Sequence, residues 1–203
     1  MFSLVILIGI PVAIGIGIAL IWGGYKNLIN FQQVVRNTFA QVRNAYQRRF
    51  DLVPNLVVAV DSFMSRQETT LEKVINLRRQ VVQVSEEASN MLGQATVSAL
   101  EKVAKEVGKS IGSFVNAVAE AYPEIKGDSL FSDLMAQLNT TEQTIFDQRT
   151  TYNAAVKLYN NTRKATIGGL IGGRLFNLPW EEEFFKGEEG IEHAPSVARV
   201  FKG

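Results

Sequence analysis

The chain has 203 residues, of which 46% are hydrophobic and 20% charged, and its formal net charge is +1. That balance is too apolar for a disordered chain, suits one folded domain with an appendage, and supplies no global field that would draw the protein to nucleic acid. Cysteine is absent and histidine occurs once, at His193, which excludes disulfides, thiolate catalysis, cysteine-ligated metal and a lipid-anchor cysteine.

The charges are unevenly spread. Met1 to Tyr25 carries none, and Lys26, Arg36, Arg43, Arg48 and Arg49 follow without an acid up to Phe50. Glu181, Glu182, Glu183, Glu188, Glu189 and Glu192 gather near the other end.

Met1 to Trp22 reads MFSLVILIGIPVAIGIGIALIW. As a helix it is ~33 Å long, against ~30 Å of hydrocarbon in a bilayer. A cleaved signal peptide needs a basic n-region and a small-x-small cleavage site, and the segment has neither. Residues 1–24 are therefore expected to span a membrane, with Trp22 and Tyr25 as interfacial anchors and a bend at Pro11. Gly9, Ala13 and Gly17, and again Gly15, Ala19 and Gly23, fall at the four-residue spacing that lets membrane helices approach closely. Small residues are also simply common in such helices, so self-association through these stripes stays one of two readings. Lys26, Arg36 and Arg43 all lie on the C-terminal side. The positive-inside rule then expects the N-terminus outside and the domain in the cytoplasm, on the cell (inner) membrane.

Beyond the membrane the apolar residues recur at alternating steps of three and four, the period of helix packed on helix. The clearest run is Val97, Leu100, Ala104, Val107, Ile111, Phe114, Val118 and Ala121. A second is Phe131, Leu134, Leu138, Thr141, Ile145, Gln148, Tyr152, Ala155 and Tyr159, broken only at Thr141 and Gln148. Leu28, Phe31, Val35, Thr38, Val42 and Ala45 continue directly from the membrane helix, and Leu56, Val60, Phe63, Leu71, Val74, Leu77, Val81, Val84 and Ala88 form a less regular set. Asp51 as N-cap and Pro54 in a first turn suggest a helix start at 52. Ser89-Asn90 to Gly93 reads as a weak break, and Tyr122-Pro123 to Gly127 as a strong one. The expected architecture is all-α: a transmembrane helix continuing into an elongated antiparallel four-helix bundle over 25–165, with helices at about 25–50, 52–88, 91–121 and 128–165. Their lengths of ~39–57 Å are well matched.

Three reversals return the fourth helix toward the membrane, so the tail of residues 166–203 starts beside the bilayer. In TIGGLIGGRLFNLPW, the side chains of Leu170, Ile171, Leu175, Phe176, Leu178 and Trp180 are unsuited to a solvated tail. Lipid, the bundle's own base and another subunit are all open as their contact. The acidic run after Trp180 reads as a solvated face.

Tests for chemistry return little. Gly108-Lys109-Ser110 ends like a phosphate-binding loop, but position 103 is Val where that loop needs glycine, and the tripeptide lies inside the most regular helical run. His193 has no second His or Cys for a metal site or a hydrolytic triad. No catalytic residue, metal or cofactor is expected. The charged and polar residues Arg48, Arg49, Asp51 and Asn55, and separately Tyr122, Glu124 and Lys126, are expected at two turns sharing the bundle end farthest from the membrane. Capping with loop-to-loop ion pairs is one reading there, and a partner-binding surface the other. Arg149, Tyr152 and Asn153 read as a polar contact between helices.

Three blocks carry a resemblance: Gln47-Arg48-Arg49-Phe50-Asp51-Leu52-Val53-Pro54-Asn55-Leu56-Val57, then Glu120-Ala121-Tyr122-Pro123-Glu124-Ile125-Lys126, then Thr141-Glu142 to Ile145 with Arg149, Tyr152-Asn153, Val156 and Tyr159-Asn160. In these the chain resembles the LemA family of bacterial membrane proteins. The resemblance implies one N-terminal membrane helix and a helical bundle, and brings no established biochemical activity. Tyr46 stands where a tryptophan is usual, and the Gly-rich, acidic tail after Lys164 departs from the family's usual ending. The expected function is a non-enzymatic, membrane-anchored scaffold whose partners are the bilayer and further copies of itself. The alternative is a regulatory or sensor subunit that presents its distal turns to a membrane enzyme such as a protease.

Overall fold

A computed structural model describes residues 2–65 and 72–186, with the side chains of the first helix from Ile8 onward. Every regular element is helical, with no strand among the described residues. The helices are α1 (Phe2–Met64), α2 (Glu72–Met91), α3 (Val97–Ala121), α4 (Ser129–Ala165) and α5 (Ile167–Leu175), with short 3₁₀ turns at Leu92–Gln94 and Pro123–Gly127. Leu71, Glu188, Glu189, Glu192 and His193 lie outside the described residues.

α1 corrects the expected start at 52. It runs through Asp51 and Pro54 without a break. Proline inside a helix removes one backbone donor and typically costs ~3 kcal/mol. The cost is offset by packing, because Val42, Tyr46, Val53, Leu56, Val60 and Phe63 are all buried along one seam on both sides of Pro54. Pro54 itself is on the exposed side, where water can satisfy the carbonyl left without its helical partner. α3 begins at Val97 rather than 91, because Leu92–Gln94 forms a 3₁₀ turn and the Thr96 side chain then caps the helix by accepting from Ala99 N. Of the expected α3 seam, Val97, Leu100, Val107, Ile111, Phe114 and Val118 are buried, and Ala104 and Ala121 are half-buried. α4 starts where Asp128 Oδ1 accepts from Phe131 N at 3.1 Å.

The chain forms two compact units. One comprises residues up to Ala40 with Thr150–Phe184; the other comprises Gln41–Arg149 with Phe185 and Lys186 among the described residues. In the second unit, the core joins residues of α1 to those of α2, α3 and α4. Along α1 the partners' numbers fall as its own rise: Arg43 Nη1 donates to Gly93 O at 3.0 Å, Gln47 Nε2 to Ser89 Oγ at 2.6 Å, and Arg78 Nη1 reaches Asp61 at 2.8 Å. In the first unit, Leu28, Val35, Tyr159 and Val156 are buried. The part of α1 before Trp22 is different, with Ile8, Ile10, Val12, Ile14, Ile16, Ile18, Leu20 and Trp22 all more than half exposed. Among the described helices, α1 alone is long and apolar enough to cross a membrane.

Candidate functional site

In the first unit the tail is not solvated chain. Thr166 caps α5 by accepting from Gly169 N at 2.9 Å while its hydroxyl donates to Thr162 O at 2.8 Å, which joins α5 to the end of α4. α5 turns its four glycines, Gly168, Gly169, Gly172 and Gly173, toward protein. A Cβ on Gly168 would sit 2.5 Å from Gly24 Cα, and one on Gly24 would sit 2.6 Å from Gly168 Cα, so the two backbones touch. Gly172 faces Tyr25 in the same way, and the Tyr25 and Phe176 rings stack with centroids 4.2 Å apart. Gly173 leaves room for the guanidinium of Arg163, which is 2% exposed, donates from Nη1 to Gly169 O at 2.6 Å and lies 4.7 Å from the Trp180 ring centroid.

The opposite side of α5 is the reverse. Ile167, Leu170, Ile171 and Leu175 are exposed, between 41% at Leu170 and 72% at Leu175, and Phe176 and Trp180 are also exposed. Leu170, Ile171, Arg174, Leu175 and Trp180 line an open groove of about 640 Å³.

α5 ends in a Schellman motif. Leu178 N donates to Gly173 O at 2.9 Å, Asn177 N donates to Arg174 O at 3.4 Å, and Asn177 takes the left-handed conformation with φ 50°. Asparagine tolerates that conformation better than most side chains, and Pro179 prevents the helix from resuming. The chain then returns along α4. Tyr159 OH donates to Pro179 O at 2.7 Å and Tyr152 OH to Glu183 O at 2.8 Å. Asn160 binds Glu182 twice, donating from Nδ2 to its carbonyl at 3.1 Å and accepting from its N–H at 2.9 Å. Burial raises the phenol pKa of both tyrosines; next in effect is the negative charge of Glu182, with Glu183 adding to it at Tyr152. The side chains of Glu181 and Glu183 do face solvent, as the sequence suggested, but the backbone that carries them is pinned.

In the second unit two ion pairs are partly buried: Arg49–Glu142 at 2.7 Å and Arg149–Glu101 at 3.1 Å. Arg149 also donates to Lys186 O at 2.9 Å and lies over the Phe185 ring. Arg149 therefore joins α4 to α3 and to the returning segment. Tyr46, whose phenol is raised by burial, feels Arg149 and Arg49 as lowering charges.

The two expected distal clusters are not brought together. Arg48, Arg49, Asp51 and Asn55 lie within α1, not at a turn, because no turn forms there. Arg49 points inward to Glu142; Arg48, Asp51 and Asn55 are exposed, and Asp51 accepts from Gln47 at 2.6 Å. Tyr122 is buried edge-on against Phe63, 14 residues (63 minus 49) beyond Arg49, or ~21 Å along the helix. Glu124 and Lys126 are exposed on the 3₁₀ turn around the buried Ile125. At Gly9 and Gly17 a Cβ would meet open space, and Ala13 between them is exposed, so nothing among the described residues covers that stripe. Among the described residues, no group of three or more His, Cys, Asp or Glu side chains could hold a metal ion.

The LemA family model matches residues 38–198. The chain belongs to the LemA family. No curated protein matches it. The LemA match begins after the apolar part of α1 and takes in α5 and the returning segment, so the tail past Lys164 is within the family pattern rather than a departure from it.

Three residues of this site escaped the sequence reading. Gly24 lies outside both small-residue stripes and is the one that touches α5. Arg163 was not singled out, and Asn160 entered only as part of the third block of the family resemblance. A signal was available: Gly168-Gly169 and Gly172-Gly173 repeat at a four-residue step, and Asn177 with Pro179 two residues on is a helix stop.

Proposed function

We propose that this LemA-family protein is a membrane-anchored interaction protein without enzymatic chemistry. In this reading α1 crosses the cell membrane once, with the N-terminus outside and the remainder cytoplasmic. The helices beyond it pack as an antiparallel four-helix bundle, and copies associate to organise or shape a membrane assembly. The observation that carries the proposal is the uncharged run from Ile8 to Trp22, where Ile8, Ile10, Val12, Ile14, Ile16, Ile18, Leu20 and Trp22 are more than half exposed and find no cover among the described residues. Such a run is at home in hydrocarbon and costly in water. The falling order of α2 partners along α1 supports the antiparallel packing, and Lys26, Arg36 and Arg43 on one side of the run support the orientation.

The test is the mass of the full-length protein extracted from its own membranes in a mild detergent, by size exclusion with light scattering. A homo-oligomer that survives dilution is expected. A monomer would overturn the self-association, and a fixed-stoichiometry complex with a membrane enzyme would replace the scaffold with a regulatory subunit.

A further inference from the structure

We infer that α5 is a second membrane-inserted element, a short helix that enters one leaflet beside α1 and leaves on the side it came from, with Ile167, Leu170, Ile171 and Leu175 in acyl chains and Arg174 at the headgroups. The inference rests on the reading of α1 as a membrane span.

The first ground is the polarity of α5 itself. A helix docked on a soluble domain buries its leucines and isoleucines and leaves small residues outside, because apolar area removed from water is what stabilises the contact. α5 is inverted, with four glycines inward and every large aliphatic residue outward. In lipid that inversion is the expected order. Large side chains lose nothing by facing acyl chains, and small residues allow the backbone approach that holds helices together there.

The second ground is continuity. Gly24 and Gly168 touch, and Tyr25 packs on both Gly172 and Phe176, so α5 meets α1 at the end of its uncharged run. Trp22, Tyr25 and Phe176 thus belong to the same junction, and aromatic residues of this kind gather at membrane interfaces.

The third ground is length and charge. Nine residues make ~14 Å of helix, half of a hydrocarbon core, so α5 cannot cross. The Schellman motif at Asn177 turns the chain back instead. Residues 166–180 contain no acid, and Arg174 is exposed on the apolar groove, suited to anionic headgroups. Arg163, which would be costly near hydrocarbon, has its guanidinium enclosed by Gly169 O and the Trp180 ring.

The chain's two tryptophans supply the test, Trp22 on α1 and Trp180 beyond the end of α5 on its outer groove. Full-length Trp22→Phe and Trp180→Phe are reconstituted into phosphatidylcholine–phosphatidylglycerol vesicles with brominated acyl chains. Trp180, alone in the first variant, is expected to be quenched to an extent comparable with Trp22 in the second, and to stay so as protein is diluted over lipid. Quenching of Trp22 with Trp180 open to aqueous iodide would overturn the inference and leave the anchor intact. Quenching of neither would remove the membrane span and the inference with it. A Trp180 shielded from both quenchers, and exposed to iodide on dilution, would assign the face to a second copy and also overturn it. Ile171→Cys carrying an environment-sensitive dye is an independent reporter in this cysteine-free chain. Blue-shifted, iodide-protected emission is expected, and water-like emission overturns the insertion.

Discussion

Asn160 secures the returning segment with both ends of one amide, and a residue so used has no conservative replacement. Asn160→Ala leaves the Glu182 N–H and carbonyl to find water, and a lost pair of this kind costs roughly 1–3 kcal/mol. The expected outcome is earlier proteolysis and faster amide exchange at Glu181–Glu183, while the exchange of α3 stays near its wild-type rate. The tyrosines make a different prediction. Tyr46, Tyr152 and Tyr159 all have phenol pKa values raised by burial, so above ~10, the usual tyrosine value, the folded chain keeps protons that the unfolded chain releases. Their contribution is intact below that pH and is lost as the pH climbs through the folded values. Urea titrations at rising alkaline pH should show stability falling from about pH 10. Tyr152→Phe is expected to be less stable than wild type at neutral pH, having lost its bond to Glu183 O, but to fall less steeply. An equal alkaline slope in both proteins would count against this account. The sequence disclosed that Tyr152 and Tyr159 sit on the apolar face of a helix, because period is a property of the string. That their hydroxyls reach carbonyls at 179 and 183 depends on a chain reversal, and only the fold supplies that.

At the scale of elements, α3 and α5 stand at opposite ends of what periodicity can tell. The α3 seam is filled by the residues that the three-and-four spacing selects. Val107→Asp or Phe114→Asp should unfold the domain by circular dichroism, since an unpaired carboxylate placed at either fully buried position costs ~3 kcal/mol or more. Gly108→Ala should be neutral or stabilising by ~0.5–1 kcal/mol, because the added methyl would meet only Arg49 Nη2 at 3.6 Å. The α5 contact cannot absorb a methyl at all. Gly168→Val should drive α5 from α1, with a cost of ~1–3 kcal/mol typical of overpacking. A Tyr25→Cys/Gly172→Cys pair reads this out, since those Cβ positions are close enough to bridge with a small adjustment. Mild oxidation is expected to crosslink the pair in the parent and not with Gly168→Val added. Undiminished crosslinking would show that α5 stays docked. α1 shows why local signals misled. Asp51 and Pro54 are good helix-start residues, yet the buried seam runs on either side of them, and tertiary packing outweighs a few kcal/mol of local preference.

For the molecule as a whole, the absence of cysteine makes orientation in the membrane directly measurable. Ser3→Cys and Glu124→Cys are to be labelled separately in intact cells with an impermeant thiol reagent. Labelling at residue 3 and protection at 124 are expected from the basic residues that follow the span. The reverse pattern would make the domain extracytoplasmic. Helical class and the apolar N-terminal run were legible because each rests on composition and period over many residues. The expected association of Arg48 to Asn55 with Tyr122 to Lys126 fails because it assumed a turn at 51, where α1 runs on. One misplaced helix end shifts the register of everything expected to pair across it.

The touch of Gly24 on Gly168 also has a thermal consequence. No rotamer is frozen when two glycines meet, and little apolar area leaves water, so this backbone contact forms with a small entropy of ordering side chains and a small change in heat capacity. A packed core behaves otherwise: its heat capacity of unfolding makes its strength bend with temperature. The glycine part of the hold of α5 on α1 should therefore vary far less between cold and warm than the core does, leaving the Tyr25–Phe176 stack as the part that bends with temperature.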